Sequence, residues 1–137
     1  MSNEIFIPGN VASIKRGRIW TGKKLVYSKA STKYIKLSKP FWEENKEPFQ
    51  KLIKGYSFPL TVGFHFVRAT KRRFDWINLV QTCQDMMVKY EWIEDDNIHI
   101  ILPFPYKVDG EFVTYDKENN GVLIKPFIYY GTKNCNN

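Results

Sequence analysis

A chain of 137 residues, 43% hydrophobic and 16% aromatic, has room for one core and is short for two, so a single domain over residues 1–137 is expected. It has no run of eighteen apolar residues and no basic-then-apolar start, which argues against a membrane-spanning helix or a secretory leader and for a soluble, cytoplasmic protein. Its two cysteines, Cys83 and Cys135, offer neither a disulfide framework nor a zinc quartet. The net charge of +7 is unevenly spread: residues 1–73 carry sixteen Lys or Arg against four acids, net +12, and residues 74–137 five against ten, net −5. This split suggests a basic wall around an acidic pocket, to which a polyanion would be drawn; a solvated basic face is the plainer alternative.

Residues 4–8, with Ile5, Phe6 and Ile7, predict a first strand closed by Pro8-Gly9. Residues 10–20 follow, too polar for a core, with Ser13, Lys15, Arg16 and Arg18 around Gly17. Leu25, Val26 and Tyr27 predict a short second strand. Ser31 is the expected N-cap of a helix that Pro40 interrupts or restarts, and the helix continues over residues 41–54 until Gly55. Lys29, Lys33 and Lys36 recur at helical spacing, as a ridge facing phosphate or plain solvent. Residues 59–67 alternate, with Leu60, Val62, Phe64 and Phe66 on one face and Thr61, Gly63 and His65 on the other, which predicts a half-buried strand. His65 is read as an ordinary hydrogen-bonded histidine rather than a catalytic one.

Residues 75–90 predict one amphipathic helix, because Trp76, Leu79, Val80, Cys83, Met86, Met87 and Tyr90 recur at i, i+3, i+4 and i+7. Asn78, Gln81, Thr82 and Asp85 are expected on the opposite, polar side, with Ile77 and Val88 outside the main stripe. Beyond it stand Glu94-Asp95-Asp96-Asn97 and a strand over residues 98–102, ended by Pro103 and Pro105. Val108-Asp109-Gly110-Glu111 predicts a turn, and residues 121–130 a last strand whose end Pro126 demotes to an edge. Residues 132–137 are expected to be a frayed tail. The fold class is therefore α+β, a small mixed sheet packed by about two helices.

The run Lys71-Arg72-Arg73, then Asp75 and Asn78 at a helix start, then Asp95-Asp96 about twenty residues on, resembles the signature of the RusA family of Holliday-junction resolvases. The pattern departs where the family has a second Asp and a Lys: Ile77 and Gln81 stand there, as in a divergent branch with Asp-x-x-Asn in place of Asp-x-Asp-Asn. The resemblance implies a RusA-like domain that resolves four-way or other branched DNA by paired symmetrical nicks, a divalent-metal-dependent endodeoxyribonuclease using Mg2+ or Mn2+. It implies Asp75, Asp95, Asp96 and Asn78 as catalytic residues, with Asp75 and Asp96 as metal ligands and Asp95 a lesser one. Paired nicks imply a homodimer, and this type of resolvase is often prophage-borne. DNA contacts are expected from Lys15, Arg16, Arg18, Lys71, Arg72, Arg73 and Lys89.

Hard cations on carboxylates suit phosphodiester hydrolysis, since they supply an activated water and a charge sink. Crowded carboxylates without metal would raise at least one pKa. The residues admit a plainer reading, in which Asp75 is an N-cap and Glu94-Asp95-Asp96-Asn97 a solvated turn. Two further readings stay open: a branched-DNA-binding protein of this fold that has lost the chemistry, and a non-enzymatic protein-interaction module with a basic face.

Overall fold

The computed structural model describes residues 3–13, 18–20, 25–27 and 29–129, the two short stretches 18–20 and 25–27 as backbone only. Lys15, Arg16, Cys135 and the side chain of Arg18 lie outside the described residues, as does the expected tail at 132–137. In chain order the elements are β1 (Ile5–Pro8), β2 (Arg18–Trp20), β3 (Leu25–Tyr27), α1 (Lys29–Glu44), α2 (Lys46–Leu52), β4 (Leu60–Arg68), α3 (Trp76–Lys89), β5 (Ile101–Pro105), β6 (Val113–Tyr115) and β7 (Gly121–Phe127). The architecture is α+β: a mixed five-stranded sheet in the order β1-β7-β4-β5, with β6 also pairing β4, and three helices among the described residues. β2 and β3 form a separate antiparallel pair. No helix among the described residues is long and apolar enough to cross a membrane.

β4 is the centre of the sheet. Its first half pairs in parallel with β5 and its last three residues in parallel with β6, while β7 runs antiparallel along its other side. The alternation of residues 59–67 predicts one buried face, yet both are covered: Thr61, Gly63 and His65 are as inaccessible as Leu60, Val62, Phe64 and Phe66. The second cover comes from Tyr106, whose ring lies against Gly63, so that a Cβ there would come within 2.6 Å of a ring carbon. His65 is fully buried and uses both ring nitrogens, at 2.9 Å from the Tyr106 carbonyl and 2.9 Å from Thr114 Oγ1. A carbonyl only accepts, so Nδ1 carries the proton to Tyr106 and, in the neutral ring, Nε2 accepts from the threonine hydroxyl. His65 thereby ties the segment after β5 to β6 at the point where β4 exchanges one parallel neighbour for the other. Gly63→Ala is expected to push the Tyr106 ring off β4, weaken its 3.0 Å hydrogen bond to Glu4 and cost about 1–3 kcal/mol, measurable by urea unfolding.

The other sheet face carries the core. Ile5, Ile7, Val122, Ile124 and Leu60, Val62, Phe64 and Phe66 of β4 pack with Tyr34 and Trp42 of α1, Phe49 of α2, and Leu79, Val80, Cys83, Met86 and Met87 of α3. At roughly 1.5–3 kcal/mol for each large side chain, the α3 stripe alone is a major part of the stability. α1 runs through Pro40 instead of breaking there, because Tyr34, Ser38 and Trp42 form one buried stripe across it while Pro40 itself is exposed. Packing on that stripe offsets the roughly 3 kcal/mol that an interior proline costs. The helix starts at Lys29, ahead of the expected cap, and Ser31 is buried with its hydroxyl donating to the Ser13 carbonyl at 3.2 Å. The break falls at Asn45, whose side-chain amide donates to the Phe41 carbonyl at 2.8 Å and so competes with the helix ladder.

Two prolines that were expected to end a strand lie inside one. β5 begins at Ile101 and contains Pro103 and Pro105, tolerated because it is an edge strand with one side unpaired. β7 is interior, but its last β1 partner is at Ile124, so Pro126 stands where that side is open. The turn at Asp109-Gly110 forms with φ of +53° and +80°, the Asp-Gly pairing that positive φ favours, and Val108 and Glu111 exchange backbone hydrogen bonds across it.

Candidate functional site

α3 begins as its sequence dictates. Asp75 is the N-cap, in extended conformation, with Oδ1 accepting from the Ile77 amide at 3.0 Å. The side chain is exposed at the end of the loop that carries Lys71, Arg72 and Arg73, all three also exposed, and Arg73 and Asp75 line one open depression with Phe74 and Trp76. Lys71 Nζ sits 5.7 Å from the centre of the Tyr115 ring. Lys89 is at the opposite end of α3, its ammonium over Tyr90, so the length of the helix, about 20 Å, separates it from the basic loop. Asn78 is half-buried one turn in; Ile77 projects into solvent at 71% exposure, and Val88 packs against the core. Thr82, expected on the polar ridge, is buried, its hydroxyl donating to the Ala12 carbonyl at 2.8 Å beside β1.

The segment after α3 turns back along it. Tyr90 caps the helix, Glu91 takes a φ of +64°, and the Trp92 amide donates to the Met87 carbonyl at 2.7 Å. Trp92 and Ile93 then drop into the core, and the chain beyond them carries Asp96 to the middle of the helix. There the Gln81 side-chain amide donates to Asp96 Oδ2 at 3.0 Å and to Asp85 Oδ1 at 2.8 Å. With carboxylates on both sides, the NH2 end of the amide must face them. Gln81 thus holds two carboxylates together at the position where the resemblance implies a lysine. Asp85 was expected on the polar ridge and as a more distant support of the ligand set; it stands beside Gln81 within the helix, and the return of the loop adds Asp96 to them. The i,i+4 spacing of Gln81 and Asp85 was the one local signal for half of it.

Asp95 faces its own loop. Its Oδ1 accepts from the Asp96 amide at 2.8 Å and its Oδ2 from the Asn97 side chain at 3.1 Å. The Asp96 amide first, and then Asn97, hold the Asp95 carboxyl below the usual carboxylate range, the opposite of the rise that crowding with other acids would produce. A depressed carboxyl stabilises the fold above its ordinary pKa, and that contribution is lost as pH falls through the lowered value, below about pH 4.

The structure therefore brings Asp96 onto α3 beside Gln81 and Asp85, and leaves Asp75 about 9 Å of helix rise away from Gln81, engaged in its own cap. Asp75, Asp95 and Asp96 each bond to a different donor. Among the described residues no three His, Cys, Asp or Glu form a group that could hold a metal ion. Asp75, Asp95 and Asp96 do not come together as one ligand group in this arrangement. Gln81→Lys is expected to replace the shared amide by a shared cation and to stabilise the fold by up to about 1 kcal/mol at low salt. Thermal unfolding in low salt and in 1 M NaCl checks this, since the gain should vanish in the latter. Searched against protein-family models and against curated proteins, the chain matches none.

Proposed function

We propose that this protein is a branched-DNA endonuclease of the RusA type, acting on four-way junctions as a homodimer. The observation that carries the reading is the return of Asp96 onto the helix that Asp75 caps, beyond a loop of three exposed basic residues. The reading is supported by Asp96 lying against α3, and by the charge split, which places most of the positive charge in the half of the chain leading to that helix. Dependence on Mg2+ or Mn2+ belongs to the same proposal; an ion at Asp96 would compete with the Gln81 amide. A cytoplasmic, phage-borne setting rests on the resemblance alone.

A second reading has an observation of its own. Gln81 already satisfies Asp85 and Asp96 without any cation, which suits a protein that binds branched DNA and does not cut it. An end-labelled synthetic four-way junction, incubated with the protein in Mg2+ or Mn2+ beside a linear duplex, separates the two. Paired cuts at symmetrical positions support the nuclease, and junction-selective binding without cuts supports the second reading. Binding to neither DNA leaves the basic face to an acidic protein partner. Sedimentation velocity at micromolar concentration tests the homodimer.

A further inference from the structure

Arg68, the last residue of β4, is a half-buried cation with no acidic partner. Its Nη1 donates to the Val11 carbonyl at 2.7 Å and its guanidinium lies 5.0 Å from the centre of the Phe74 ring. The other groups facing it are Tyr34, Cys83 and Tyr115, none of them a carboxylate. Asp116, next to it across the sheet, spends its Oδ1 on the amides of Glu118 and Asn119 in its own turn. The residues outside the described set include no Asp or Glu, and none occurs anywhere between Ile5 and Trp42, so no acidic side chain is left to neutralise it from there. Guanidinium carries five N–H donors, and removing it partly from water without a counter-charge is costly unless something else supplies one.

That something has a place to sit. Arg68 lines a cleft of about 530 Å3 together with Gly9 and Asn10 at the exit of β1, and Ala30, Lys33 and Tyr34 on the first two turns of α1. α1 has no acid in its first turn, so no side-chain charge there offsets the positive end of its dipole in the same region. Asn10 accepts from the Ala69 amide through Oδ1 at 3.1 Å, which leaves its NH2 as a donor. Tyr34 is 4% exposed and its hydroxyl is buried without a hydrogen-bond partner, Ser38 and Trp42 lying beside it short of bonding geometry. Asn120, also on the cleft, has its amide donors on the carbonyls of Asp116 and Lys117.

We infer that this cleft is an anion site in which Arg68 and Lys33 seat a phosphate group, and that the phosphate is one of a DNA backbone. The anion site stands on the geometry alone; its assignment to DNA rests on the proposed function. Neither Asp75 nor Asp96 lines it, so the phosphate it seats would be a different one from the phosphate at those aspartates. Phosphate contacts of this kind position a duplex without reading its sequence.

Two titrations test it, each with wild type, Arg68→Gln and the exposed-site variant Lys33→Ala, all checked for folding by circular dichroism. In the first, inorganic phosphate is added to 15N-labelled protein; amide shifts at Asn10, Ala30 and Lys33 that disappear in Arg68→Gln are expected, and the absence of such shifts in wild type overturns the site. In the second, binding of a fluorescent junction is followed from 50 to 300 mM NaCl. Arg68→Gln is expected to weaken binding about tenfold and to flatten the slope of log K against log [NaCl] by about one unit, with Lys33→Ala changing both in the same direction. Unchanged slopes in both variants, with wild type binding DNA, overturn the backbone assignment. Should wild type bind no DNA, the proposed function fails, the DNA assignment falls with it, and the phosphate titration alone decides the anion site.

Discussion

Trp92→Ala is expected to destabilise the fold by about 3–5 kcal/mol, a large share of the roughly 5–15 kcal/mol that holds a domain of this size together. The indole is 2% exposed and lies between Trp42, tilted to it at 56°, and Phe49, stacked on it, with ring centres at 5.1 and 5.0 Å. Its Nε1 donates to the Trp42 carbonyl at 2.7 Å and its own carbonyl accepts from the Gln50 side chain at 2.6 Å. Alanine removes the ring and leaves the Trp42 carbonyl without that donor, so a cavity and a lost hydrogen bond add together. Trp92→Phe keeps most of the ring and is expected to cost about 1–3 kcal/mol. Urea unfolding followed by far-ultraviolet circular dichroism orders the three proteins; a Trp92→Ala midpoint close to wild type would mean that the return of the chain after α3 is not anchored here. The residue matters for function as well as stability, because it is the first core contact after the helix and everything from Glu94 to Asn97 hangs from it.

The second large effect concerns catalysis and presumes the nuclease reading. Asp96→Asn is expected to lower junction cleavage at least about 100-fold, the scale on which removal of one preorganised charge-stabilising group registers. The change keeps the shape and leaves an oxygen to accept from Gln81, so stability and junction binding should hold. Asp75→Asn should act similarly on cleavage, since asparagine remains a good N-cap and helix loss would not confound the result. Wild-type rates in both variants would remove the two aspartates from the chemistry. Undiminished binding with lost cleavage is the pattern that distinguishes a reacting site from a cap and a turn.

The amphipathic helix α3, its cap at Asp75 and its end at Tyr90 were legible in the chain because each depends on neighbours within four residues. So were the Asp109-Gly110 turn and the alternation of β4. The candidate site was legible in its parts and not in its assembly. Sequence spacing names Asp75, Asn78, Asp95 and Asp96, but no local rule places Asp96 beside Gln81 rather than beside Asp75. That choice is made by Trp92 and Ile93, whose burial draws the chain back along α3 and sets how far it travels.

Several other outcomes have the same origin. Pro40 reads as a break until the buried stripe of Tyr34, Ser38 and Trp42 is seen to cross it, and Pro103 reads as a stop until β5 is seen to be an edge. Thr61, Gly63 and His65 alternate like a solvent face, yet all three are buried, Gly63 and His65 against Tyr106 some forty residues away. Arg68 is one more basic residue in a basic stretch until its burial shows that no acid accompanies it. The amino-acid order by itself settled the helix α3, the Asp109-Gly110 turn and the charge distribution, since these follow from short-range periodicity and composition. Which faces are buried, which prolines are tolerated and which carboxylates meet was left to the tertiary structure, because each depends on contacts between residues far apart in the chain.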